Sequence, residues 1–243
     1  MLVHPWDGPV DEHEWREALR VLDFGQLIAP GGPERELPVV VPTHFLYDGD
    51  RTIELHLARP NPVWAAFEER PRALLTVVGD YVYVPAEVNA GDDPALGVPT
   101  SYYASVQAEV DVEVVDDPAA KASILNRQLA HFEPGGSPRV PVDALGADRR
   151  VLPGIRGLRL TVTGVRAKFK YGGNKSVEQR LEIASALASR GGPMDGAARR
   201  RLLDRLPGDA VGPTGGAVGP GGAVDVASPG VPTGGGTPGD ATG

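Results

Sequence analysis

The 243-residue chain contains no cysteine. That excludes a disulfide framework, a thiol nucleophile and any Cys-ligated zinc. No stretch approaches the ~20 apolar residues that a membrane-spanning helix needs. The opening Met-Leu-Val-His-Pro-Trp-Asp lacks the charged lead and apolar core of a secretory signal. A soluble, cytoplasmic protein is the expectation. Positive charge is also scarce, with 24 Lys and Arg against 32 Asp and Glu and a formal charge of −8. Proteins that grip DNA by neutralising phosphates are usually basic on at least one face. Direct nucleic-acid binding by this chain is therefore disfavoured. No Gly-x-Ser-x-Gly elbow and no His-Glu-x-x-His pair is present, which removes two common hydrolytic mechanisms.

Lysine is the scarcest charged residue. Only four occur against twenty arginines, and three of them, Lys168, Lys170 and Lys175, fall within eight residues. A lysine ammonium is a compact, mobile charge suited to meeting a phosphate as a point charge. The same segment places Gly172-Gly173 just ahead of an expected helix start, a geometry in which backbone N–H groups can face an anion. The competing reading is a basic turn between a strand and a helix. Gly173-Asn174-Lys175-Ser176 is not a Walker motif, because Asn174 interrupts the Gly-Lys-Ser run and no glycine stands at the required distance upstream.

Residues 207–243 hold thirteen Gly and six Pro and no Lys or Arg. Such a composition buries little apolar surface and predicts a disordered tail. Residues 1–206 form the expected folding unit. Asp11 and Glu14 predict a capped helix start, with Val10 and Trp15 at the staple positions and Trp15, Leu19 and Leu22 on the buried stripe. Strands are predicted at 24–29, 39–47, 52–57, 73–78, 81–84, 105–114 and 155–169, and the 86–98 stretch reads as a loop. Helices are predicted at 63–69, from Pro118, from Ser176 to about Arg190, and around 197–206. In the helix after Ser176, Val177, Leu181, Ala184 and Leu187 are expected to face inward. Strands do not alternate regularly with helices, so an antiparallel, mainly β fold with peripheral helices (α+β) is expected.

Three segments have the make-up of a binding site. Leu55-His56-Leu57-Ala58-Arg59-Pro60-Asn61-Pro62 runs from a strand end into a helix start. Gly97-Val98-Pro99-Thr100-Ser101-Tyr102-Tyr103 sets a hydroxyl and two rings after a rigid turn. The lysine segment Ala167-Lys168-Phe169-Lys170-Tyr171-Gly172-Gly173-Asn174-Lys175-Ser176 continues to Arg180. Taken singly, His56 also reads as an exposed strand residue, and Tyr102 and Tyr103 as ordinary strand aromatics with one packed inside.

Together, and in this order, they resemble the PaiB-like FMN-binding family, described as negative transcriptional regulators. That family shows Gly-His-Leu-Ala-Arg-x-Asn-Pro, Val-Pro-Thr-Trp-Asn-Tyr and Gly-Lys-Phe-Lys-x-x-x-Asn-x-Ser-x-x-Asp-Arg. The opening helix followed by Phe24-Gly25-Gln26-Leu27-Ile28 is similar too. The resemblance implies a split β-barrel that binds FMN as a homodimer, with the flavin near the subunit interface. It makes the lysine cluster (Lys168, Lys170 and Lys175), Arg59 and Arg180 phosphate candidates, and His56, Asn61, Thr100 and Tyr102 flavin-lining candidates, with Asn174 a matched motif position. The chain departs from the family at Ser101, where a Trp is usual. It departs again at Tyr83-Val84-Pro85-Ala86-Glu87-Val88, where Tyr-Ile-Ser-Pro-Ser-Trp-Tyr is common. Both changes thin the expected aromatic wall. Three functions follow as expectations: a regulator of the PaiB type, an FMN-dependent oxidoreductase acting on a small molecule, or a flavin or haem carrier with His131 as axial candidate.

Overall fold

The computed structural model describes residues 1–33, 35–90 and 93–207. The expected disordered tail, Pro207 apart, lies outside the described residues. The chain runs α1 (Glu12–Val21), β1 (Phe24–Ala29), β2 (Val39–His44), β3 (Leu46–Tyr47), β4 (Thr52–Ala58), α2 (Val63–Glu69) and β5 (Arg72–Val84). It continues through α3 (Ala86–Asn89), β6 (Thr100–Val115), α4 (Pro118–Phe132), β7 (Ile155–Lys170), α5 (Val177–Arg190) and α6 (Asp195–Asp204).

All seven strands lie in one antiparallel sheet of order β2-β1-β5-β6-β7-β4-β3. The chain passes from one edge, β2, to the other, β3, across the single buried residue Phe45. The two edges must therefore come close, and the sheet rolls around its core. Among the described residues no ladder joins β2 to β3, so the barrel is split rather than closed. Its interior is apolar: Leu27, Leu55, Leu75, Val106, Ala108, Leu158 and Leu160 are fully buried in one continuous cluster. Burying each large aliphatic side chain contributes roughly 1.5–3 kcal/mol.

Local sequence explains most element boundaries. Asp11 accepts the Glu14 N–H at 3.0 Å, and Glu14 accepts the Val10 N–H at 2.8 Å. Val10 is nevertheless exposed, so the expected staple against Trp15 does not form. Ser176 and Gln179 close the predicted capping box of α5. Ala184 and Leu187 of that helix face inward as expected, but Arg180 and Ile183 are buried in place of Val177 and Leu181, and Leu181 points outward.

The two strands expected at 73–78 and 81–84 are one strand, β5, with a register irregularity between Gly79 and Val82. At that irregularity Asp80 adopts φ 51°, unusual for a residue with a β-carbon. Its carboxylate accepts Arg201 Nε at 2.9 Å and its carbonyl accepts the Tyr171 hydroxyl at 3.3 Å. The strand expected at 39–47 is instead interrupted at Phe45. The alternation read along β6 holds for Val106, Ala108 and Val110, then reverses, so that Val114 faces outward and Val115 is buried. A register shift against β7 at Glu109/Val110 accompanies this reversal. The stretch expected as a loop contains α3 and a 3₁₀ turn, Pro94–Leu96. No helix among the described residues is long and apolar enough to cross a membrane.

Candidate functional site

Strands β6 and β7 pair antiparallel, so the start of β6 lies beside the end of β7. Tyr103 stands opposite Lys170, and Ser105 opposite Lys168. Pairing alone thus brings the Val-Pro-Thr-Ser-Tyr-Tyr segment and the lysine segment together. Gly172 then turns the chain with φ +73°, a conformation that glycine adopts without penalty.

A cavity of about 490 Å³ opens at this end of the barrel. Thr100 and Tyr102 of β6, Lys168 and Lys170 of β7, and Gly172, Asn174 and Lys175 of the turn form one wall. Asn89, Leu96 and Val98 of the β5–β6 excursion form another, and His4, Trp6 and Asp7 of the N-terminal segment a third.

The charge balance of the cavity is positive. Lys170 Nζ donates to Thr100 Oγ1 at 2.7 Å, and Lys175 Nζ donates to the Asn89 carbonyl at 3.0 Å. Lys168 Nζ donates to the Leu2 carbonyl at 3.1 Å and lies 3.6 Å from the buried Asp7 carboxylate. Each ammonium has three donors, so Lys170 and Lys175 retain donors for a ligand. Among the described lining residues Asp7 is the only carboxylate, against three ammonium groups.

Two buried polar atoms here have no partner among the described residues, Tyr102 Oη and Asn89 Oδ1. An unpaired buried polar group costs about 1–3 kcal/mol, and a ligand that pairs with it recovers that cost. Burial pushes the Tyr102 phenol up to about 12, so it remains a neutral donor. The capping box of α5 already occupies the Gln179 N–H, at 3.2 Å from Ser176 Oγ. Positive charge at the site therefore comes chiefly from lysine side chains rather than from the helix start.

Of the residues singled out in the sequence, Thr100, Tyr102, Lys168, Lys170, Asn174 and Lys175 meet at this cavity. The others stand elsewhere. Arg180 is buried, with Nη2 donating to the Leu202 carbonyl at 3.0 Å and Nε without a partner. Desolvation, and then the nearby Arg205, push its guanidinium down from the usual range. His56 pairs with Gly157 near the opposite end of β7. Its Nδ1 lies 2.7 Å from Gln128 Oε1, and its ring meets that of His44 edge-on. Arg59 is bound to Asp116 and donates from Nε to the Pro153 carbonyl at 2.5 Å. Asn61 accepts the Val63 N–H at 3.0 Å and so caps α2. His131, the axial candidate for haem, lies 3.0 Å from the Asp23 carboxylate. His4, Trp6, Asp7 and Asn89 went unnoticed in the sequence, because no spacing ties them to the lysines.

The residues present fit a flavin mononucleotide. The cavity lies within the ~300–1,000 Å³ range of small-molecule sites, carries clustered cations for a phosphate, and holds unpartnered polar atoms beside apolar and aromatic walls. The fold is that of the split-barrel class. Residues 8–164 match the family model described as "Putative FMN-binding domain", and the chain belongs to that family, with FMN as its cofactor. The lysine-bearing end of β7 and the segment from His4 to Asp7 flank the matched stretch.

Among solved structures, the flavocytochrome Anf3 from Azotobacter vinelandii superposes with a TM-score of 0.53 at 21% identity, over 69% of this chain and 71% of that one. The FAD and haem binding protein from Mycobacterium smegmatis superposes with a TM-score of 0.55 at 18% identity, over 76% of this chain and 80% of that one. Both likenesses concern the fold. No curated protein matches the chain.

Proposed function

We propose that the protein is an FMN-dependent oxidoreductase acting on a small molecule, with the FMN phosphate held by Lys168, Lys170 and Lys175. The observation that carries this reading is the convergence of three of the chain's four lysines on one cavity beside the unpartnered Tyr102 hydroxyl. Bound FMN supplies hydride or single-electron transfer. The protein's own part is to bind, orient and shield. Lys170 and Lys175 donate to phosphate oxygens, the Tyr102 phenol donates a hydrogen bond, and Leu96 and Val98 keep water from the ring side. Arg180 and the residues at the far end of β7, His56, Arg59 and Asn61, remain candidates for the flavin within a homodimer. Support for a dimer comes from Phe24, Val78 and Tyr83, exposed on one outer face of β1 and β5.

A regulator of the PaiB type is the second reading, favoured by the three matched segments. Two assays separate these functions. Retention of FMN through gel filtration, followed by oxidation of a reduced nicotinamide, supports the oxidoreductase. Salt-sensitive retention of promoter DNA without turnover supports the regulator. Failure of the wild-type protein to retain FMN would remove both.

A further inference from the structure

The N-terminal segment presents an aromatic pair that the fold does not need for its core. Trp6 is 44% exposed and Leu2 71% exposed, yet the backbone between them is firmly seated. Lys168 holds the Leu2 carbonyl, Asp7 is buried against Lys168, and Arg205 donates to the Gly8 carbonyl at 2.7 Å. The Trp6 carbonyl presses on Gly173 so closely that a β-carbon there would lie 2.3 Å away. A 3₁₀ turn, Pro5–Asp7, closed by the Asp7 N–H on the His4 carbonyl at 2.9 Å, sets positions 4 and 6 side by side. The outcome is a parallel stack of the His4 and Trp6 rings, centroids 4.7 Å apart and planes within 8°. Both residues line the lysine cavity.

We propose that the His4–Trp6 stack is the ring platform of this site, holding the planar heteroaromatic system of the phosphorylated ligand by stacking. The inference rests on the reading that FMN occupies the cavity, and it assigns the isoalloxazine ring to the N-terminal segment. Three observations converge on it. Both stacked residues are exposed, so the pair is accessible from solvent at the cavity. Offset stacking of this kind is a favoured arrangement of aromatic systems. The platform is also preorganised, so little ordering is lost when the ligand binds. Finally, Trp6 is the one large aromatic ring among the described lining residues that is substantially exposed, whereas Tyr102 is buried.

The test compares FMN, riboflavin and inorganic phosphate on the full chain, using flavin fluorescence and binding constants. Trp6→Ala should weaken FMN and riboflavin alike, by about three- to tenfold, and leave competition by inorganic phosphate unchanged. It should also raise the fluorescence of bound flavin, because the stacked indole that quenches it is gone. Trp6→Phe should recover most of the affinity, and His4→Ala should lose a smaller share. Lys170→Ala should show the reverse pattern, weakening FMN while sparing riboflavin. Unchanged riboflavin affinity and unchanged flavin fluorescence in a folded Trp6→Ala would overturn the platform and leave FMN binding standing. Absence of FMN binding to the wild-type protein would overturn both.

Discussion

The Tyr102 hydroxyl faces Gly172 so closely that a β-carbon on residue 172 would lie 2.4 Å from its oxygen. Strand β6 and the turn after β7 are thus fitted to each other at the floor of the cavity. Gly172→Ala should destabilise the protein by roughly 2–4 kcal/mol, combining the left-handed backbone term with displacement of Tyr102. Gly49 isolates the first term, since it has φ +88° and nothing within 4 Å of an added β-carbon. Gly49→Ala should cost only about 1–2 kcal/mol. Urea unfolding of the two variants checks the difference, and equal losses would show that the Tyr102 contact carries no strain.

Lys170→Ala and Lys175→Ala should each raise the FMN dissociation constant by about tenfold or more, the usual worth of a charge-assisted hydrogen bond. The dependence of binding on salt should flatten at the same time, as expected when a cation–phosphate contact is removed. Fluorescence titration at two ionic strengths reads both effects. Unaltered affinity in the double variant would place the phosphate elsewhere.

Arg205 joins the start of the chain to its last described helix. Its Nη1 lies 2.6 Å from both Glu14 carboxylate oxygens, and the pair is nine-tenths buried. Removing one partner leaves the other charged without compensation, so Arg205→Ala should cost about 3–5 kcal/mol. Glu14→Gln together with Arg205→Met should recover part of that loss. A cycle of Glu14→Gln and Arg205→Met, singly and together, measures the coupling in thermal unfolding.

Asp116 is encircled by Arg59, Lys121 at 3.1 Å and Arg156 at 3.6 Å. Hydrogen bonds from Arg59 first, and then Lys121, hold its carboxyl down to about 2. A lowered carboxylate pKa stabilises the fold above the unfolded-state value, about 3.9. That stabilisation is lost as pH falls from about 4 through 2. Asp116→Asn should flatten the acid limb of the stability curve over this window and leave the neutral region with a shallower optimum. Asp116 is partly exposed, so solvent screening keeps the effect small. Acid unfolding followed by circular dichroism would reveal it, and an unchanged limb would count against the ion cluster.

Much of the fold was legible because local signals agreed with one another. The Ser176–Gln179 capping box and the alternation of Val106, Ala108 and Val110 each point to the element that forms. What escaped were features decided by distant contacts. The inward position of Arg180 in place of Leu181 depends on α5 meeting the Leu202 carbonyl of α6. The merging of two short strands into β5 depends on Arg201 and Tyr171 holding Asp80 in its unusual conformation. At the candidate site, Thr100, Tyr102 and Lys170 were readable from residue type. The walls from His4 to Asp7 and from Asn89 were not, since they lie far from the lysines in sequence and meet them only through the rolled sheet.

Strand β7 sits inside the sheet between β6 and β4, yet it is the last strand to be made. On the ribosome, β4 can pair at once only with the two-residue β3 and must wait for β7 while roughly a hundred further residues are added, about 5–20 s at ordinary synthesis rates. Through that interval the Ile53, Leu55 and Leu57 face of β4 lacks its long pairing, in a chain dominated by contacts between distant segments. Newly made protein should therefore be most prone to aggregation, and most dependent on chaperones, just before residue 170 emerges. The strand that carries the ligand's lysines is also the one that completes the fold.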